Sequence, residues 1–181
     1  MKRQVFFSFH FGNDIWRVGQ IRNIGVVEGQ EVFSDNGWEK VRLKKDTDIK
    51  DWIDKELNMR SCVVVLIGSE TASRRWVRYE IEEAWKRGKG IVGIYINKLK
   101  NSQGEQSQKG ANPLNQFCVD KTFNYIVQQS EPADENEINL GNVCTTFDSV
   151  YQDSDNVYTD IKENIVDLIE EAIKIRNKYP R

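Results

Sequence analysis

The chain has 181 residues, and its 26 Lys and Arg against 28 Asp and Glu leave a formal net charge of −2. A hydrophobic content of 39%, with five Trp, is enough for one packed core without disulfide or metal staples and speaks against general disorder. The near-neutral charge removes the basic footprint of a duplex-nucleic-acid binder, and no apolar run reaches the roughly 18 residues of a spanning helix.

Val5 to Phe9 is a nearly continuous apolar run, the pattern of a strand buried on both faces. His10-Phe11-Gly12-Asn13-Asp14 follows as a turn able to cap a helix, and Ile15, Val18 and Ile21 then recur at helical spacing to about Asn23. Val26 to Phe33 is a weaker strand, closed by the turn Ser34-Asp35-Asn36-Gly37. Asp48 and Asp51 open a helix that carries Ile49, Trp52, Ile53 and Leu57 on one stripe. Cys62 to Ile67 is an uninterrupted β-branched run ended by Gly68, and both of its faces must be covered. Val77, Ile81, Ala84 and Trp85 mark the next helix, with Ser73 as its N-cap and Gly88 or Gly90 as its stop. Ile91 to Ile96 is another buried strand. Such alternation of strand and helix predicts a parallel sheet with helices on both faces.

From Lys98 the pattern dissolves, and the expected organisation is a single domain over 1–181 with an insertion at about 98–158. Within it, Phe117 to Val127 is apolar enough to dock as a strand or short helix, Glu131 to Glu137 is an acidic patch, and Val143 to Phe147 returns as an edge strand. A final helix is expected over about 160–178, with Ile161, Ile165, Leu168, Ala172 and Ile175 as its apolar stripe.

The chemistry-bearing residues are few. Cys62, Cys118 and Cys144 have no C-x-x-C spacing and read as ordinary thiols, and a single histidine, His10, excludes a multi-histidine metal site, so no metal is expected. Gly88-Lys89-Gly90-Ile91-Val92-Gly93 matches G-x-G-x-x-G, but it follows a helix and precedes a strand, the reverse of a phosphate-binding turn. In an open parallel sheet the ligand crevice lies beyond the carboxyl ends of the strands. That places Phe9, His10 and Gly12, Asp35 to Trp38, Gly68 to Ser73 and Asn97 around it. Periodicity alone reads Glu80 as a solvated helix glutamate beside Glu82 and Glu83, and His10 as a structural strand-end residue.

The run Val5-Phe6-Phe7-Ser8-Phe9-His10 resembles the first strand of TIR (Toll/interleukin receptor) domains. Cys62 to Ile67, Gly68-Ser69 and then Trp76-Val77-Arg78-Tyr79-Glu80 resemble the segment in which a Trp precedes the TIR catalytic glutamate by four positions. With Asp14-x-Trp16-Arg17-Val18 and the long insertion, the likeness is to the bacterial branch, in particular the TIR subunits of Thoeris anti-phage systems. The resemblance covers Val5 to about Ile96. It implies an α/β, flavodoxin-like (TIR-like) three-layer fold with a central, mostly parallel sheet. It also implies an enzyme that cleaves NAD as substrate, needs no cofactor, and stays inactive until triggered. Glu80 would be catalytic; Ser8, Phe9, His10, Asp35 and Trp76 would bind substrate. Capture of the anomeric carbon by an internal nucleophile would give a cyclic ADP-ribose isomer. That diffusible messenger would reach a separate effector protein, with a phage-derived trigger and self-association upstream.

The first-strand end departs from many TIR enzymes, which have Arg or Gly where His10 and Phe11 stand. The alternative function is a non-enzymatic interaction module working through protein contacts at the acidic insertion. A cytoplasmic location is expected, because the N-terminus lacks a signal-peptide cleavage pattern.

Overall fold

A computed structural model describes residues 3–29, 45–122 and 125–179. Five strands form one all-parallel sheet: β1 (Gln4–Ser8), β2 (Glu28–Gly29), β3 (Cys62–Ile67), β4 (Gly90–Tyr95) and β8 (Thr146–Phe147), in the order β2-β1-β3-β4-β8. Three smaller strands, β5 (Cys118–Asp120), β6 (Ile126–Val127) and β7 (Glu137–Asn139), make a separate antiparallel sheet in the order β6-β5-β7. The helices are α1 (Phe11–Arg22), α2 (Asp46–Asn58), α3 (Arg75–Lys86), the single turn α4 (Leu140–Val143) and α5 (Ser154–Arg176). This is the parallel sheet with helices on both faces that the alternation predicts, and the α/β flavodoxin-like architecture that the resemblance implies.

Strand periodicity sorts the core into two faces. Phe6, Val63, Val65 and Ile91 point to the side covered by α2, α3 and the small sheet. Val5, Phe7, Val64, Leu66, Val92 and Ile94 point to the side covered by α1 and α5. Each central strand alternates between two apolar layers, so β3 and β4 are buried along their whole length. Trp52 packs its ring 6.0 Å from that of Phe6, the packing role expected of it.

Several boundaries differ from those the sequence suggests. Of the strand expected over Val26 to Phe33, the described part is Glu28–Gly29; Asp35, Trp38 and the rest of 30–44 lie outside the described residues. Ser73 is not the N-cap of α3: it ends a 3₁₀ turn (Thr71–Ser73), donates from its hydroxyl to the Glu70 carbonyl at 2.8 Å, and leaves the cap to Arg74. Gly88, with φ +70°, supplies the left-handed residue after α3. Gly90 serves otherwise. It lies where the α5 backbone crosses β4, and a Cβ there would come within 2.8 Å of the Ile173 amide nitrogen.

The final helix begins at Ser154, about six residues before the expected start. Asp153 caps it by accepting from the Asn156 amide at 2.9 Å, and Val157 extends its buried stripe by one turn. The edge strand falls at Thr146–Phe147 and pairs with β4 in the main sheet. The stretch expected as an insertion over 98–158 therefore gives its last part to the central sheet and to α5. Its middle part forms the small sheet: the Phe117 to Val127 stretch docks as strands β5 and β6, as expected, and the end of the acidic patch adds β7. The three cysteines are free and buried. Among the described residues no helix is long and apolar enough to cross a membrane.

Candidate active site

The site is built where β1 ends. Ser8 is the last residue of β1 and shares the face of Phe6, so its hydroxyl points toward α3 and not toward α1. On α3 the buried positions are Val77, Glu80, Ile81, Ala84 and Trp85, the i, i+3, i+4, i+7, i+8 pattern of a core-facing stripe. Glu80 fills an apolar slot in that stripe. The solvated reading of this residue is overturned: it is only 9% exposed, and its Oε2 accepts a short hydrogen bond from Ser8 Oγ.

One hydroxyl is a poor substitute for the water a carboxylate loses on burial. Desolvation pushes the Glu80 carboxyl up from an ordinary 4.5 to about 8, and the Ser8 hydrogen bond opposes the rise. At neutral pH burial therefore favours the protonated carboxyl.

A cavity of about 400 Å³ opens beside it, bounded by Phe9 to Gly12 from the β1–α1 turn and by Arg74 to Val77 and Glu80 from α3. Its walls offer flat apolar surface. The Phe9 and Phe11 rings lie 6.3 Å apart, and Trp76 stands edge-on to Tyr79 at 5.9 Å. Arg75 lies 4.7 Å over the Trp76 ring and pairs with Asp46 at 2.7 Å. Burial lowers the basicity of His10, and the Arg74 charge lowers it further against the pull of Glu70. Its Nδ1 sits 3.8 Å from Glu70 Oε2.

Phe9, His10, Trp76 and Glu80 thus share one cavity, and Ser8 reaches it through Glu80. Asp35 is outside the described residues. Part of the expected crevice is closed. Gly110 packs so tightly on the Gly68 and Ser69 carbonyls that a Cβ would overlap them, and the Ser107 amide donates to the Asn97 carbonyl at 2.9 Å. A strap from the insertion covers the ends of β3 and β4, so the cleft narrows to the β1 side. Arg74 and Arg75 line the cavity; Arg78 does not. Among the described residues no group of three or more His, Cys, Asp and Glu is placed to hold a metal ion.

Residues 6–101 match the sequence model of the family described as "Thoeris protein ThsB, TIR-like domain". The chain belongs to this ThsB TIR-like family. The matched stretch contains Ser8 and every residue that lines the cavity around Glu80. A relative from Bacillus cereus (strain MSX-D12), which carries the provisional name cyclic ADP-D-ribose synthase ThsB1, is 41% identical over 119 residues. The alignment covers 63% of this chain and 62% of that protein, so the likeness spans less than two thirds of the relative.

The signal that could have identified Glu80 without any family was its slot. A charged residue in the i+3 position of a five-residue apolar stripe must either be paired or have its pKa displaced.

Proposed function

We propose that this ThsB-family protein cleaves NAD at the bond between nicotinamide and ribose, and that it releases a cyclic ADP-ribose isomer as a messenger in anti-phage defence. The observation that carries this reading is the buried Glu80 carboxyl, held by Ser8 at the floor of a cavity with aromatic walls and an arginine rim. The provisional name of the Bacillus cereus relative supports the same reaction class. A separate effector protein would read the messenger, and a phage-derived trigger would set the activity.

Glu80 enters the reaction through its charge. A pyridinium ring brought into the cavity makes the ionised carboxylate favourable again, because a nearby positive charge lowers the pKa that burial has raised. As the glycosidic bond breaks, nicotinamide leaves with the bonding electron pair and its ring becomes neutral. The ribose carbon becomes oxocarbenium-like, and the Glu80 carboxylate stabilises that charge where water is scarce. A hydroxyl of the same molecule then bonds to the anomeric carbon and gives its proton to Glu80, or a ring nitrogen bonds through its lone pair and the positive charge passes to the base. Water in its place would yield ADP-ribose. Ser8 holds Glu80 Oε2, which leaves the other oxygen for the ribose. Arg74 and Arg75 supply positive potential for the phosphates.

The test is nicotinamide release from NAD by the protein mixed with lysate of phage-infected cells as the source of trigger. Glu80→Gln is expected to abolish release while leaving the fold intact. Unchanged release by that variant would remove the assignment. Full anti-phage protection by Glu80→Gln in cells would favour the protein-contact reading instead.

A further inference from the structure

The cleft at Glu80 has a neighbour. A second hollow of about 490 Å³ lies across the start of α1, lined by Asn13, Trp16, Arg17, Ser69 and the insertion segment from Asn101 to Ser107. Gly12 lines both hollows. In the second, Trp16 is 59% exposed, while the other described tryptophans are buried or half-buried. The Ser107 hydroxyl on its wall is buried and has no hydrogen-bond partner.

The charges there say what the hollow can take. Arg17 is buried, but its guanidinium is already committed: Nε donates to the Leu99 carbonyl at 2.8 Å, Nη2 to the Glu105 carbonyl at 3.0 Å, and Nη1 to Asp14 at 3.0 Å. Glu105 adds a negative group. Among the described residues that line it no uncommitted cation is offered for a phosphate, whereas an open indole face and a row of Asn, Gln and Ser side chains suit a flat base and a sugar.

The ridge between the hollows has the opposite character. Glu70 Oε2 accepts from Asn13 Nδ2 at 2.7 Å and from Arg74 Nη2 at 3.2 Å, and His10 Nδ1 lies 3.8 Å away. α1 starts here with no side-chain cap on its first N–H groups. An amide and a guanidinium donate to one carboxylate beside the start of α1, which is the arrangement an anion would use. Glu70 itself is 53% exposed in its side chain and able to swing away.

We propose that the second hollow is the subsite for the adenosine end of the dinucleotide, and that the pyrophosphate crosses the ridge at Gly12 by displacing Glu70 from Asn13 and Arg74. The choice of ligand rests on the NAD reading above; the hollow and its charge pattern do not. Glu70 then holds the phosphate position while the cleft is empty.

Calorimetry with AMP and with ADP-ribose tests this apart from turnover. The intact protein is expected to bind both. Trp16→Ala should weaken AMP binding roughly tenfold or more, as loss of a stacked base does, and Trp16→Phe should keep most of it. Glu70→Gln should tighten ADP-ribose severalfold, because a competing anion is gone. Nicotinamide mononucleotide, which lacks the adenosine end, should respond to Glu80→Gln and not to Trp16→Ala. No AMP binding by the intact protein, equal AMP binding by Trp16→Ala, or weaker ADP-ribose binding by Glu70→Gln would overturn the subsite. Trp16-dependent AMP binding without any NAD cleavage would instead uphold the subsite and defeat the proposed reaction.

Discussion

The molecule buries one carboxylate in its central cleft and another in its small sheet, and the two are supported very differently. Glu137 accepts from Tyr125 Oη at 3.0 Å, from Gln129 Nε2 at 2.5 Å and from the Ala133 amide at 2.7 Å, so it ties three parts of the insertion together. Among the described residues the Glu80 carboxyl accepts one hydrogen bond, from Ser8, and its pKa rises to about 8. The number of donors separates them. A carboxylate given three partners anchors a fold, and one given a single partner in an apolar stripe is kept ready for a charge that arrives later.

The strongest way to break this contrast is to neutralise both. Glu80→Gln should reduce NAD cleavage by about 10²–10³-fold, the usual scale for losing an electrostatic stabiliser of a transition state. Glu137→Gln should leave cleavage within a few-fold of the parent protein but destabilise the chain by about 1–3 kcal/mol, since an amide nitrogen must then face donors that need an acceptor. Thermal unfolding and nicotinamide release on the two variants check both halves. Cleavage lost equally in the two would mean that the small sheet governs the cleft.

Stability against pH sharpens the contrast with a sign. Below about 4.5 both the folded and the unfolded chain keep the proton on Glu80. As pH rises the unfolded chain loses it first, and the folded chain holds it until about 8, so stability falls through that window and levels above it. The slope approaches ~1.4 kcal/mol per pH unit. Glu80→Gln removes the loss. Its stability gain over the parent protein should therefore be small near pH 4 and largest above pH 8, as denaturant midpoints at the two ends would show. A gain that does not vary with pH would mean that Glu80 is solvated.

The same contrast explains what could be read from the residues. β3 and β4 were legible because runs without a charged or strongly polar residue leave no other way to bury both faces, and the crossover order followed from them. The docking of Phe117 to Val127 was legible too, but its pairing with Glu137–Asn139 was not, because strands of two or three residues carry no period and are held by backbone pairing and an inward glutamate from a segment that looks simply acidic. The start of α5 was hidden in a polar run, although Val157 lies one turn before Ile161 and Asp153 stands three before Asn156. In the cleft, the residue resemblance singled out Ser8, Phe9, His10, Trp76 and Glu80. The strap over Gly68 and the hollow beside Trp16 arise where the insertion meets residues far from it in the chain, Gly110 on Gly68 and Asn101 to Ser107 beside Trp16, which no local pattern records.

The smallest expected effect lies on Ser8, and it tests why Glu80 titrates where it does. The Ser8 hydroxyl is the one group that opposes the rise in the Glu80 pKa, since it donates to the ionised form. If the ionised form is the active one, kcat/KM should climb with pH through a limb near 8 in the parent protein. Ser8→Ala leaves burial unopposed and should move that limb to higher pH by about one unit, a shift worth ~1.4 kcal/mol. The plateau at still higher pH should change little, because the carboxylate itself remains. Ser8→Thr keeps the hydroxyl and should keep the limb. A plateau lost together with the limb would instead make Ser8 a direct contact of the ribose, with Glu80 set by burial alone.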